Sequence, residues 1–510
     1  MANSRTKNTL LNTLGGVILK FVSMILAFVT RTIFLKTLGI QYAGVSDVFT
    51  SILMVLSFAE MGIGSAIVFA LYKPIAENDH KQISKLINFY RKTYMVVVAV
   101  IMLLGIGVIP FLNYLIKDVP NIVEDIRVIY ILYLVNTASS YIMVYKSTFL
   151  TAAQKDYLVS KIRIIITVIK TVGESLLLLI FKNFILYLIF GSFMTLLQNV
   201  VVAKVAEREY PILKEKSTSK LEKSEKKRLF DDVKALFIYK VCGSLLNGSD
   251  NIIISSFINT TQVGIFGNYN LITKQLYGFN TQFFHATGAS IGNLSATSTP
   301  EHQHRVFEKM MFITFCISSL CSVCLWTLFN PFMTFWQGEI YTFSPIIVAL
   351  LVIDFYTNNM SSPIHQFRTS NGLFKQGKYR PVIMVAINII VSVILVKRIG
   401  ITGVIIGTVF SRAVTLFWYD PYLIHKMVFK KPVRRYFYKY ILYGLVTFVG
   451  SAISSWLLSA LNIQNLLLNV FAGAVIAVTV SVALICVCFC RTDEFKQTFQ
   501  LAKNIISRKI

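Results

Sequence analysis

Long apolar runs dominate the chain, separated by short clusters of Lys, Arg, Glu, Asn and Gly. Runs long enough to cross a bilayer as helices cover, within a few residues, 10–35, 43–71, 94–116, 128–150, 160–181, 183–205 and 233–258. They continue over 263–292, 310–335, 342–366, 381–397, 400–420, 437–461 and 466–490. The first, second, seventh and eighth are the most polar. The pattern predicts an all-α integral membrane protein with about fourteen transmembrane helices.

Composition agrees. Of 510 residues 55% are hydrophobic and 15% charged, with a mean hydropathy of +0.64, against about 25% charged in ordinary soluble domains. The net charge of +26 would suit nucleic acid if it were spread over a soluble surface. With a cytoplasmic N-terminus, about 38 of the 50 Lys and Arg residues fall in cytoplasmic segments and about six in external loops. That bias puts both termini in the cytoplasm and makes the charge an orientation signal, with no nucleic-acid partner. The first run carries Lys20 and Arg31 and has no small-residue cleavage site, so it reads as a span and not as a signal peptide.

The cytoplasmic stretch around Lys214–Arg228 is charged and lacks an apolar period, as expected of a mobile linker. At the other end of the chain, Phe495, Phe499, Ala502 and Ile506 recur at helical spacing among Lys496, Lys503, Arg508 and Lys509. This predicts an amphipathic helix on the cytoplasmic surface.

The two halves resemble each other at an offset of about 220 residues. Thr32–Gly44 sets against Ile252–Gly264, Lys20 against Lys240, Ala152 against Gly372 and Lys155 against Lys375. The expected organisation is a six-helix lobe over 1–206, a basic linker over 207–231 and a second six-helix lobe over 232–420. Two appended helices (421–490) and a tail (491–510) complete it. An even number of spans per repeat gives two halves of the same orientation, an architecture of alternating-access transporters.

Charges inside spans carry the candidate chemistry. A cation near mid-bilayer costs roughly 3 kcal/mol, so six of them (Lys20, Arg31, Lys170, Lys240, Lys274, Arg412) would cost on the order of 18 kcal/mol if bare to lipid. They must be paired, extended to the interface or turned to a wet cavity. Lys20 and Arg31, three turns apart, share one helix face about 16 Å apart. With Lys240 and Lys274 they form a cationic set suited to phosphate or pyrophosphate. The acidic Asp47, Glu60, Asp250 and Asp354 are candidates for gating or ion coupling. Lys170 and Glu174, four apart, read as a structural ion pair, and Arg412 as a side chain extended to the interface.

Enzymatic constellations are missing: the chain has no G-x-x-x-x-G-K-S/T, H-E-x-x-H or G-x-S-x-G pattern. All seven cysteines fall in apolar runs, where they act as small apolar residues. Thr299-Pro300-Glu301 reads as a helix start and not as part of a metal site with His302 and His304. No cofactor and no metal is expected.

Several stretches resemble the Wzx-type polysaccharide repeat-unit flippases of the multidrug/oligosaccharidyl-lipid/polysaccharide exporter superfamily. They are Arg31–Gly39, Leu56-Ser-Phe-Ala-Glu-Met-Gly-Ile-Gly-Ser-Ala-Ile67, Ser249-Asp-Asn-Ile-Ile-Ile-Ser255, Val263–Tyr269, Gly288–Leu294, Asn371-Gly-Leu-Phe-Lys375 with Asn388, and Ile399–Gly403. The resemblance implies a two-lobed, MATE-like fold in a bacterial cytoplasmic membrane, with undecaprenyl-pyrophosphate-linked oligosaccharide as substrate. It further implies coupling to Na⁺, H⁺ or membrane potential, and, as partners, membrane lipids, a polysaccharide polymerase and a chain-length regulator. Lysines occupy much of the ladder that arginines supply in lipid II flippases. The rivals are an ion-coupled drug antiporter of the same superfamily, and a membrane glycosyltransferase or polysaccharide polymerase, for which the external loops are too small.

Overall fold

The computed structural model describes residues 2–60, 63–118, 120–214, 221–373 and 376–506. Met61, Gly62, Phe374, Lys375, the middle of the linker, Arg508 and Lys509 lie outside the described residues, as do the side chains of Ala502 and Ile506. The described residues are helical or in short connections, with no strand.

Packing divides the chain into two units, Met1–Gly267 and Asn268–Ile510. The first contains α1 (Ala2–Thr37), α2 (Ile40–Leu56), α3 (Ile63–Glu77), α4 (His80–Val108), α5 (Leu112–Leu115), α6 (Ile126–Tyr141), α7 (Val144–Ala152), α8 (Asp156–Phe181), α9 (Phe184–Glu209), α10 (Lys223–Phe257) and the start of α11 (Thr260–Thr297). The second holds the rest of α11, then α12 (Pro300–Gln337), α13 (Pro345–Met360), α14 (Ser362–Ser370), α15 (Arg380–Ile399), α16 (Ile401–Val414) and α17 (Leu416–Ile424). It ends with α18 (Arg434–Ala460), α19 (Leu466–Phe489) and α20 (Asp493–Ile506).

Among the described residues nine helices are long and apolar enough to cross a membrane, or ten if the bent pair α6–α7 is one span. The other four expected spans fall short for visible reasons. The second is broken between α2 and α3, and the tenth between α13 and α14 at Ser361. α10 and α11 are long, at 35 and 38 residues, but carry many polar groups. A multi-pass membrane protein follows from the apolar helices alone. On α19, Leu467, Phe471, Val475, Val478 and Val482 are all exposed at spacings of three and four, the stripe a helix presents to lipid. Gly473, Ala477 and Ser481 of the same helix are buried, and small residues on a buried face let helices approach closely.

The repeat is visible in the helix ends. At an offset of 220, the end of α1 (Thr37) matches that of α10 (Phe257), the start of α2 (Ile40) that of α11 (Thr260), and the start of α4 (His80) that of α12 (Pro300).

One expectation needs correction. Residues 223–231, read as linker, are the first turns of α10. Glu222 and Glu225 form a reciprocal capping box there, which satisfies exposed N–H groups that an unstructured linker would leave to water. The tail is helical, as its periodicity predicted: Phe495 packs against Phe312 and Glu494 accepts from Lys439 at 2.7 Å. Lys155, just before α8, bonds Glu209 at 2.6 Å. Burial works against its charged form, but Glu209 and Tyr210 outweigh that and raise its pKa above the usual lysine value.

Candidate functional site

The first unit brings together much of the charge that the sequence singled out. α1 packs along α8, with Gly15 against Ser160, and carries Lys20, half-buried, and Arg31. The Arg31 guanidinium grips Asp47 of α2 with both ends of its fork, Nη1 to Oδ1 at 3.2 Å and Nη2 to Oδ2 at 2.9 Å. Nη2 also donates to the Gly264 carbonyl of α11 at 3.1 Å. The two side chains are 15% and 24% exposed, so the pair is held but reachable.

Three glycines make this arrangement possible. A Cβ on Gly267 would stand 2.0 Å from Asp47 Oδ2, so the carboxylate fills space that a side chain would take. A Cβ on Gly44 would stand 1.8 Å from the Thr260 carbonyl oxygen, and one on Gly264 2.6 Å from the Ile40 carbonyl oxygen. Gly44 and Gly264 are repeat equivalents, and so are Ile40 and Thr260. Each glycine therefore packs on the backbone of the other's helix start, the self-complementary pattern of a two-fold contact. One turn along, Asn251 of α10 donates to Ser51 Oγ of α2 at 2.9 Å, and Ser46 bonds Tyr133. Asp250 precedes Asn251 on α10.

Glu60 sits where α2 breaks before α3. The Tyr94 hydroxyl donates to its Oε1 at 3.4 Å, and Lys240 of α10, which is exposed, lies near enough to act on it electrostatically. Thus Arg31 is bonded to Asp47 and Lys240 acts on Glu60 through its charge, whereas Lys274 lies on α11 in the second unit and is exposed. Lys170 stands 3.7 Å from Glu174, next to Gly191 of α9, as the i,i+4 spacing predicted.

In the second unit Asp354 stands 2.8 Å from Arg412. Arg412 therefore faces a carboxylate on α13, a correction to the expectation that it extends to the interface. Sequence reasoning missed a cluster nearby. Buried Asp420 of α17 accepts from Arg368 Nη1 at 3.1 and 3.2 Å and also from Arg380. Arg368 further donates to the carbonyls of Leu373 (3.1 Å) and Gln376 (2.7 Å). The available signal was a lone aspartate in the apolar run Leu416–Leu423. No group of three or more His, Cys, Asp or Glu that could hold a metal occurs among the described residues.

The profile of the family described as "Polysaccharide biosynthesis protein" matches residues 6–287. Among solved structures, the chain is similar to the lipid II flippase MurJ in an inward closed conformation, with a TM-score of 0.69 at 14% identity over 92% of this chain and 98% of that one. It is also similar to a mutant form of the Vibrio cholerae MATE transporter VcmN, with a TM-score of 0.58 at 13% identity over 84% and 99%. A multidrug resistance MATE family transporter of the MOP superfamily, inward-facing, gives 0.55 at 16% identity over 77% and 91%. No curated protein matches the chain in sequence. At these identities the structures establish the fold, which is that of membrane flippases and exporters.

Proposed function

Because the chain belongs to the polysaccharide biosynthesis protein family, whose fold here is that of transport proteins and not of enzymes, we propose that it flips undecaprenyl-pyrophosphate-linked oligosaccharide repeat units. The proposed route runs from the cytoplasmic to the external leaflet of a bacterial cytoplasmic membrane, for capsule or exopolysaccharide synthesis, with both termini cytoplasmic. The observation that carries this reading is the cationic set on the polar helices α1 and α10. Lys20, Arg31 and Lys240, with Lys274 of α11, would neutralise the pyrophosphate while the polyprenyl tail stays in lipid. Asp47, by holding Arg31 at the glycine crossing of α2 and α11, would act as a gate. Glu60, facing Lys240, and Asp250 would tune the field or couple an ion, Na⁺ or H⁺, as would Asp354 beside Arg412. The six, six and two grouping of spans, and delivery to a polymerase and chain-length regulator, belong to the same proposal.

The test is a double charge removal. A strain carrying K20Q and K240Q in otherwise native protein is expected to accumulate lipid-linked repeat units on the cytoplasmic side and to export little polymer. Unchanged export, with the variant present in the membrane at native level, overturns the role of the cations. Resistance to organic cations gained on overexpression would replace the flippase reading by that of a drug antiporter.

A further inference from the structure

The loop between α5 and α6 bonds two helices that belong to different repeats. Leaving α5 it turns to the end of α10. The backbone N–H of Lys117 donates to the Ser255 carbonyl at 3.2 Å, and its Nζ donates to the Phe257 carbonyl at 3.0 Å. Ser256 Oγ donates back to the Leu115 carbonyl at 3.2 Å. An ammonium on a last-turn carbonyl satisfies an acceptor that a helix end leaves open and complements the negative pole of the helix. Approaching α6, the loop turns to the start of α2 instead. The N–H of Asn121 donates to Gln41 Oε1 at 2.8 Å and that of Val123 to Tyr42 Oη at 3.2 Å. The Tyr42 hydroxyl in turn donates to Glu124 Oε2 at 2.6 Å.

α10 is the repeat counterpart of α1 and opens the second repeat, yet it packs with the first unit. Its two ends differ. At the Phe257 end the loop bonds add to the contact of Asn251 with Ser51, and the glycine crossing of α2 and α11 follows directly. At the other end a cleft of about 580 Å³ lies between α3, α4 and α10. Phe69, Glu77, Gln82, Leu86, Glu225 and Leu229 line it, and Gln82 donates to Glu225 at 2.7 Å. The orientation proposed above makes the Phe257 end external, so α10 is held closely on the outside and borders open space toward the cytoplasm.

We infer that the α5–α6 loop is an external clasp, which keeps the cargo path shut on the outside by tying the end of α10 to the start of α2. Lys117 must let go of α10 before that side opens. The inference rests on the orientation and alternating access of the proposed function. The bonds suit a contact broken in every cycle. Lys117 and Asn121 are exposed, and Val123 is 96% exposed. Water therefore replaces each bond at small cost, as it cannot at a buried contact.

Loosening and locking the clasp test it from both sides. K117A with Y42F removes the side-chain bonds at both ends of the loop. A single cysteine placed at Ser46, in full-length protein without the native cysteines, reports on the crossing. A membrane-impermeant thiol reagent added outside intact cells should label it at least about fivefold faster in that variant. A native level in the membrane and an unfolding midpoint near native show that the variant is folded. Locking uses K117C with S256C in the same background, joined by a short bifunctional thiol reagent. Polymer export should stop on cross-linking and return when a reductant cleaves the bridge. Unchanged labelling in folded K117A/Y42F overturns the clasp, and so does undiminished export by fully cross-linked protein. Faster labelling in a protein whose deletion leaves polymer export intact would uphold the clasp and replace the cargo.

Discussion

Two arginine–carboxylate arrangements in this protein use the same groups to opposite ends. At the α2–α11 crossing one guanidinium grips one carboxylate, 15% and 24% exposed, over glycines that bring backbones together. Around Asp420 two guanidiniums share one carboxylate that is 2% exposed, and Arg368 also ties down the turn after α14 through two carbonyls. The first is partly exposed on both sides and can part if water reaches both groups. The second cannot part without stranding buried cations. Burial and partner count, not residue type, separate a latch from a clamp.

The largest effect should come from breaking the clamp. D420N removes the charge that two buried arginines share, and losing one side of a buried pair costs about 3–5 kcal/mol. In detergent the variant should show a markedly lower unfolding midpoint and reduced yield. A midpoint equal to native would mean that Arg368 and Arg380 are neutralised by something other than Asp420, and the comparison would fail at its stronger end.

The glycine crossing should respond less. G44A puts a methyl 1.8 Å from the Thr260 carbonyl oxygen. Backbone cannot rotate away as a side chain can, so α2 and α11 must separate, with a strain cost of about 1–3 kcal/mol. G264A, its repeat equivalent, should behave alike because its clash is with the Ile40 carbonyl. G444A on α18, where nothing lies within 4 Å, should leave the midpoint native. If G44A matches G444A, the two-fold packing of the crossing is wrong.

How much of this was legible beforehand follows from the range of the interactions. Apolar runs and the basic bias are local properties, so the membrane class and most helices could be read directly. The 220-residue offset was legible because equivalent helix ends kept it. Helical arithmetic put Lys20 and Arg31 on one face, but could not say that Arg31 is held by Asp47, since the fork depends on Gly267 leaving room 220 residues beyond that aspartate. The clamp was invisible for a similar reason: its arginines stand 52 and 40 residues from Asp420 and read as ordinary cytoplasmic loop charge. The start of α10 was misread because charged surface turns of a helix and a solvated linker have the same composition, and only the capping box tells them apart.

The smallest effect, and the finest test of latch against clamp, is one substitution made at both places. Lysine keeps the charge of arginine but gives up the planar fork. At Arg31 it keeps a contact to Asp47 and loses about one charge-assisted bond, so R31K should lower the unfolding midpoint by the equivalent of only about 1 kcal/mol. At Arg368 the same change cannot span Asp420, Leu373 and Gln376 together, and R368K should cost clearly more. The functional readouts should run the other way. R31K loosens the crossing and should raise labelling of a cysteine placed at Ser46 by a membrane-impermeant thiol reagent, in a background without the native cysteines, while R368K leaves that labelling unchanged. Equal stability losses, with labelling unchanged in R31K, would show that both pairs are structural and that the crossing is not a gate.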